Sequence, residues 1–168
     1  MKLEEKIGQW LVARRMTLAV AESCTGGLVG HRLTNVPGSS EYFLGGIIAY
    51  TNDAKQRLLG VSSDTLARFG AVSQETAREM AQGARRALEA HIAVAVTGIA
   101  GPGGGAPGKP VGLTWIALSA PDVTRAVSFH WPGDRQANKE ASAQAALELL
   151  QSYLEPIGGG GLSASQPG

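Results

Sequence analysis

Hydrophobic residues recur at two different periods along the chain, and the alternation between them predicts a layered α/β fold. Residues 3–15 place Leu3, Ile7, Trp10 and Leu11 at spacings of three and four, which predicts an amphipathic helix. Residues 17–21 form a short apolar run that is typical of a buried strand. The remaining predicted helices cover 28–36, 52–60, 74–90 and 136–154, and the remaining predicted strands cover 42–51, 91–98, 111–119 and 124–132. This order predicts a single α/β domain in which helices pack against a mixed β-sheet.

Two local signals set boundaries within this pattern. Ser73 is a good N-cap for the long helix that follows it, and residues 120–122 predict a hairpin between the last two strands. We assign residues 1–156 to the folded domain. Residues 157–168 are rich in Gly and Ser and offer no apolar face, so we predict a disordered tail.

Composition excludes several classes of protein. A chain of 168 residues with a net charge of +1 has the size of one domain and lacks the positive field that nucleic acids or anionic membranes attract. No run reaches the roughly 18 apolar residues of a transmembrane helix. Cys24 is alone, and the acidic N-terminus is unlike a signal peptide, which predicts a cytoplasmic protein. The three histidines are far apart, so we predict no metal site.

Glycine is the departure from average composition, and two glycine motifs are misleading. Residues 103–109 match the first seven positions of a phosphate-binding P-loop, but Pro110 stands where Ser or Thr must bind magnesium. Gly101, Gly103 and Ala106 match a dinucleotide fingerprint by letter. Both motifs require a helix directly afterwards, whereas a strand pattern follows here. A flexible surface connection remains the plain alternative for this loop.

The segment 22–27 has more chemical promise, because it leaves a predicted strand and opens a predicted helix. Unpaired amides and the positive end of the helix dipole would stabilise an oxyanion or a phosphate there. The alternative is that Ser23 or Thr25 only caps the helix. Two glycines in a first turn favour close approach of a ligand. Further along, Tyr50 and Lys55 are five residues apart, unlike the four-residue spacing of short-chain dehydrogenases, and Lys55 by itself reads as a solvated side chain.

Several strings of the sequence together resemble one known family. These are AESCTGGLVGHRLTNVPGSSEYFLGGIIAYTNDAKQRLLGV, VTGIAGPGGG, KPVGLTWIAL and the late WPGDR. They resemble the C-terminal domain of the competence/damage-inducible protein CinA, which is the nicotinamide-nucleotide amidohydrolase, or NMN deamidase. The similarity runs from about residue 3 to residue 154, in an order that matches the family. Because no molybdopterin-binding-like N-terminal domain is present, the chain looks like the standalone form.

The resemblance implies a metal-independent and cofactor-independent hydrolase that converts nicotinamide mononucleotide to nicotinate mononucleotide and ammonia. It implies Ser23 as the nucleophile, with Tyr50 and Lys55 completing the catalytic set. A neutral Lys55 would be the base, and the amides of the 24–27 turn would meet the oxyanion. The alternative is a non-catalytic nucleotide-binding or regulatory module that is linked to competence or to the DNA damage response.

Binding of the substrate needs backbone amides or cations for the phosphate. The candidates are Thr25, Gly26, Gly27, Thr97, Gly98, Gly101, Gly104, Lys109 and Arg135. The family usually has arginine four residues after the GDR motif, whereas this chain has Lys139, which cannot make bidentate contacts. The predicted partner is a small-molecule nucleotide, and assembly into a homo-oligomer stays open.

Overall fold

A computed structural model describes residues 1–156 of the chain; the tail proposed at 157–168 lies outside the described residues. Its helices are α1 Leu3–Arg14, α2 Leu28–Thr34, α3 Asn52–Leu59, α4 Ser63–Phe69, α5 Gln74–Leu88 and α6 Arg135–Leu154, with a 3-10 turn at Ser39–Glu41. Its strands are β1 Leu18–Glu22, β2 Phe43–Ile48, β3 Ile92–Gly98, β4 Leu113–Ser119 and β5 Thr124–His130. The elements form one five-stranded sheet with the order β2-β1-β3-β4-β5.

The sheet is mixed, as the sequence pattern predicts. Strand β1 pairs in parallel with both β2 and β3, while β4 is antiparallel to β3 and to β5. The predicted hairpin between β4 and β5 is confirmed, and Ala120 closes it by donating to the carbonyl of Val123. Because β1 is buried along its whole length, its residues 18–21 form a continuous apolar run and not an alternating one, and Glu22 ends it.

Helices cover both faces of the sheet. Helix α6 packs on one face beside α1 and α2, and α5 packs on the other face together with α3 and α4. Successive residues of the central strands divide between two cores: Leu18 and Val20 belong to the first, whereas Ala19 and Ala21 belong to the second. Small side chains on the α5 side let that helix approach the sheet closely.

Helices α3 and α5 are in close contact at Gly83 of α5. A Cβ built there would lie 1.9 Å from the carbonyl oxygen of Leu59, the last residue of α3. That oxygen belongs to the backbone, so relief of the clash would require α3 itself to move. The contact fixes the position of α3 relative to α5.

We therefore expect Gly83→Ala to lower the free energy of unfolding by about 3 kcal/mol, through overpacking that side-chain rotation cannot relieve. Urea denaturation followed by circular dichroism measures the change. Gly103→Ala is the matched control, because nothing lies within 4 Å of a Cβ built at that position. Equal stability of the two variants would contradict the rigid contact.

Several boundaries differ from the sequence pattern by one to three residues, and one helix is added. Helix α4 was not predicted from the sequence: it has only seven residues, of which Leu66 alone is buried. Ser62 caps this helix by accepting from the amides of Asp64 and Thr65, and Gly70 follows its end, so capping was the available signal. Strand β2 ends at Ile48 and not at residue 51, because Thr51 is already the N-cap of α3.

Candidate active site

The carboxyl ends of the three parallel strands meet at one edge of the sheet. Glu22 ends β1, Ile48 ends β2 and Gly98 ends β3, so the segments 23–27, 49–51 and 99–112 lie along this edge. Open α/β sheets bind ligands in a crevice outside the carboxyl ends of their parallel strands, at the point where the strand order reverses. Most of the candidate site residues identified from the sequence lie in these segments.

Lys55 and Ser23 form a hydrogen-bonded pair at this edge. The Lys55 Nζ donates to Ser23 Oγ over 2.9 Å, although 32 residues separate the two in sequence. Helix α3 begins directly after β2 because Thr51 caps it, accepting from the amide of Ala54. This short connection turns the first residues of α3 back over the end of β1. Lys55 is 1% exposed, so the plain interpretation as a solvated side chain is wrong.

Three hydrogen-bond acceptors hold the side-chain nitrogen of Lys55 in place. Besides Ser23 Oγ, its Nζ contacts the carbonyl oxygens of Ala49 at 3.1 Å and Tyr50 at 3.0 Å. None of the ion pairs among residues 1–156 involves this lysine. Burial lowers its pKa below the usual 10.5, and the nearby Cys24 thiol opposes that shift only in part. A neutral amine would donate to the two carbonyls and accept the proton of the serine hydroxyl.

The turn after β1 has left-handed backbone at Gly26 and Gly27, with φ of 60° and 106°. The sequence analysis explained these two glycines by close approach of a ligand. The structure gives a different reason, because only glycine adopts this backbone conformation without strain. The amides of Cys24, Thr25 and Gly27 have no oxygen acceptor within the described part of the chain. These free donors follow Ser23 directly.

Neither Ser23 nor Thr25 caps α2, whose N-cap is Gly27. The carboxylate of Glu22 takes this role, accepting from the amides of Val29 at 2.9 Å and Gly30 at 3.1 Å. The Thr25 hydroxyl also donates to Glu22, over 2.6 Å, and Thr25 is buried. Sequence reasoning overlooked Glu22. The available signal was a helix that starts on two glycines without a capping side chain of its own.

Cys24 lies beside Ser23 but differs from it chemically. Its thiol is buried against Gly98, where an added Cβ would lie 3.1 Å from Sγ. Burial raises the pKa of this thiol to about 11. A thiol in that state is a poor nucleophile near neutral pH. Ser23, with a base at 2.9 Å, is the better candidate.

Tyr50 and Arg135 form the outer wall of the site. The Tyr50 side chain is 59% exposed, and its hydroxyl accepts from Arg135 Nη2 at 2.9 Å, not from Lys55. Arg135 also donates from Nη1 to the carbonyl oxygen of Gly101 at 2.9 Å. One guanidinium thus joins the β2–α3 connection, the β3–β4 loop and the start of α6. Tyr50 contacts the Lys55 side chain only through its backbone carbonyl, which accepts from Nζ.

A cavity of about 420 Å³ opens between the starts of α2 and α6. Its walls are formed by Leu28, Arg135, Gln136, Lys139 and Glu140. The Lys139 Nζ lies 3.8 Å from where a Cβ of Gly26 would be, which places this ammonium at the turn after Ser23. Two cations, Arg135 and Lys139, and the carboxylate of Glu140 therefore border the cavity.

The other predicted binding residues are already engaged in structural contacts. The Thr97 hydroxyl donates to Ala71 O over 2.7 Å and is buried, and Lys109 Nζ donates to the carbonyl of Phe69 at the end of α4. Gly98 leaves room for Thr114, whose Oγ1 would lie 2.6 Å from an added Cβ. Gly104 has a positive φ of 92°. Of the predicted set, Arg135, Gly101 and the 25–27 turn lie with Ser23 and Lys55.

Two further properties concern metals and membranes. Among residues 1–156, no three His, Cys, Asp or Glu side chains are grouped as metal ligands would be. Over the same residues, no helix combines the length and the hydropathy that crossing a bilayer requires.

Comparison with known proteins assigns the family. The model of the CinA C-terminal domain matches residues 1–154, and the chain belongs to this family. A competence-damage inducible protein from Desulforamulus reducens is 49% identical over 154 residues, which are 92% of this chain and 37% of the relative. A CinA-like protein from Thermotoga neapolitana is 45% identical over 94% of this chain and 38% of its own. The chain thus spans less than two fifths of the length of these relatives.

Solved structures confirm the fold. A CinA superfamily protein from Escherichia coli superposes with a TM-score of 0.88 at 34% identity, covering 90% of this chain and 88% of the other. A competence/damage-inducible protein from Agrobacterium tumefaciens gives a TM-score of 0.83 at 40% identity, covering 90% and 96%. The family resemblance and the mixed α/β architecture expected from the sequence are both confirmed.

Proposed function

We propose that this protein is an amidohydrolase that cleaves the carboxamide of nicotinamide mononucleotide to nicotinate mononucleotide and ammonia. The observation that carries the proposal is the 2.9 Å hydrogen bond between Ser23 Oγ and a fully buried Lys55. A serine becomes a competent nucleophile when an adjacent base takes its proton, and burial supplies a lysine that can do so. The resemblance to NMN deamidase supplies the substrate.

The reaction follows from this pair. Neutral Lys55 takes the proton of Ser23 as Oγ attacks the carboxamide carbon, and the carbonyl oxygen becomes an oxyanion. The free amides after Ser23 stabilise that charge, a contribution of roughly 3 to 4 kcal/mol for such donors. Lys55 returns the proton to the departing nitrogen, which leaves as ammonia. Water, deprotonated by the same lysine, then hydrolyses the ester on Ser23 and releases the acid.

Charge complementarity supports the same substrate. A mononucleotide brings a phosphate, and two cations, Arg135 and Lys139, border the cavity against the single carboxylate of Glu140. Of the two cations, Lys139 lies beside Gly26 in the turn that follows Ser23. Helix α2 is less suited to hold this phosphate, because Glu22 already occupies the amides of Val29 and Gly30. We assign the phosphate to the α6 side of the cavity. Tyr50 would line the opposite side and orient Lys55 through its carbonyl.

The test is release of ammonia from nicotinamide mononucleotide by the purified protein, with a chelator present. We expect turnover in the chelator and equimolar formation of nicotinate mononucleotide, followed by liquid chromatography. Turnover that the chelator abolishes would overturn the metal-independent mechanism. Binding of the nucleotide by calorimetry without any ammonia release would overturn the enzyme and favour a regulatory nucleotide-binding module.

The dependence of the rate on pH has a predicted direction. Because burial lowers the pKa of Lys55 below the usual 10.5, its neutral form appears at lower pH than that of an exposed lysine, and only that form accepts a proton. We expect kcat/KM to rise with pH and to level off below 10.5. Initial rates between about pH 5 and about pH 10 measure the profile. A rate that falls as pH rises through this range would contradict Lys55 as the base.

A further inference from the structure

Glu22 is a buried carboxylate that the proposed mechanism does not use. It is 2% exposed, and it is the residue directly before the nucleophile. No ion pair among residues 1–156 includes it. An unpaired carboxylate in a protein interior is destabilising unless strong donors surround it. Its three donors are the Thr25 hydroxyl at 2.6 Å and the amides of Val29 and Gly30.

These donors belong to both ends of one short segment. Thr25 lies in the turn that follows Ser23, whereas Val29 and Gly30 lie in the first turn of α2. The carboxylate therefore joins β1, the turn and the helix through a single buried group. Gly26 and Gly27, between these contacts, have left-handed backbone and no side chain to restrain them. Without Glu22, this glycine turn would be held by backbone hydrogen bonds alone.

We propose that Glu22 is a positioning residue for the reaction at Ser23. By fixing Thr25 and the start of α2, it holds the free amides of the turn where the oxyanion forms, without touching the substrate. Preorganised donors stabilise a developing charge because they need not reorient during the reaction. The inference rests on the proposed function, since it concerns the oxyanion of that reaction. It predicts an effect on kcat with little effect on KM.

Thr25 allows a test that spares Ser23 and Lys55. Thr25→Val removes the hydroxyl donor to Glu22 at nearly constant volume, and Thr25→Ser keeps it. We expect Thr25→Val to lower kcat for nicotinamide mononucleotide by about 10- to 100-fold with KM within about threefold, and Thr25→Ser to regain most of that loss. Glu22→Gln, which places an amide NH2 where a carboxylate oxygen accepts, is expected to lower kcat at least as much.

Thr76→Val is the matched control for stability. The Thr76 hydroxyl is equally buried and donates to the carbonyl of Gly70 over 2.7 Å, away from the Ser23 turn. Thermal unfolding of each variant accompanies the kinetics. If the role of Glu22 is purely structural, Thr25→Val and Thr76→Val variants that lose equal stability should also lose equal kcat. That result, or an unchanged kcat in Thr25→Val, would overturn the proposal.

A second readout separates this inference from the choice of substrate. With a fluorophosphonate ester, Ser23 Oγ attacks phosphorus, its proton passes to Lys55 and fluoride leaves, so that a phosphonyl oxygen stands where the oxyanion would be. Mass spectrometry gives the rate of labelling without any nucleotide. If the wild type labels but leaves nicotinamide mononucleotide intact, the proposed substrate fails, and slower labelling of Thr25→Val still supports Glu22. A wild type inert to both reagents overturns both proposals.

Discussion

Replacing Lys55 by methionine is expected to lower kcat for ammonia release by about 1,000-fold or more. The substitution keeps an unbranched side chain at the buried position of Lys55. It removes the amine that lies 2.9 Å from Ser23 Oγ and that takes the serine proton in the proposed mechanism. Loss of a general base that also activates the nucleophile has effects of this size. Steady-state kinetics with nicotinamide mononucleotide measure the change.

Arg57→Met is the control for this experiment, because Arg57 lies on the same helix and forms only an exposed ion pair with Asp53. It should retain the wild-type rate. A Lys55→Met protein with more than about a tenth of the wild-type kcat would remove the lysine from the mechanism.

The same variant also tests the charge of Lys55 through stability. The folded-state pKa is lowered, so between that pKa and 10.5 the unfolded chain binds more protons than the folded one. In this window the contribution of Lys55 to the free energy of unfolding increases as pH rises. Urea denaturation at a series of pH values should show wild type gaining on Lys55→Met as pH rises. The opposite slope would mean that the folded protein favours the charged amine.

Ser23→Ala is expected to reduce ammonia release by about 10,000-fold or more while nucleotide binding persists. The change removes Oγ and leaves Arg135, Lys139 and the free amides of the turn in place. Residues that act as one catalytic unit lose nearly all chemistry when the nucleophile is removed. Kinetics and calorimetry on one preparation separate turnover from affinity.

Ser63→Ala is a suitable control, because Ser63 is exposed at the start of α4 and outside the site. Its kcat should equal that of the wild type. Residual turnover in Ser23→Ala at a comparable level would assign the nucleophile elsewhere and leave Ser23 with a structural role.

Most of the fold could be read from the sequence, since hydrophobic period distinguishes long helices from buried strands. Helix α5, with Ser73 as its cap, and the β4–β5 hairpin follow from local rules. Helix α4 could not be predicted in this way, because seven residues with one buried side chain show no hydrophobic periodicity. The topology follows less directly, since the pairing of β1 with β2 and β3 depends on contacts distant in sequence.

The site was predictable to a smaller extent. Family resemblance indicated Ser23 and Lys55, but spacing alone gave no sign that residues 32 apart share a hydrogen bond. The bond between Arg135 and Tyr50 spans 85 residues and joins two long side chains, so no local pattern predicts it. Glu22 was missed because a carboxylate at a strand end is ordinarily solvated, and its burial becomes visible only once α2 is in place.

The contact at Gly83 fixes the part of the site that α3 carries, whereas the residues that line the cavity are free to differ between relatives. Helix α3 carries Lys55 and is fixed against α5 by backbone atoms, so the 2.9 Å distance from Lys55 Nζ to Ser23 Oγ is a property of the scaffold. The residues that line the cavity instead lie at the start of α2 and in the first two turns of α6, on elements that take no part in this contact. We expect relatives to acquire new amide substrates by exchanging residues such as Lys139, with the chemistry of the site unchanged.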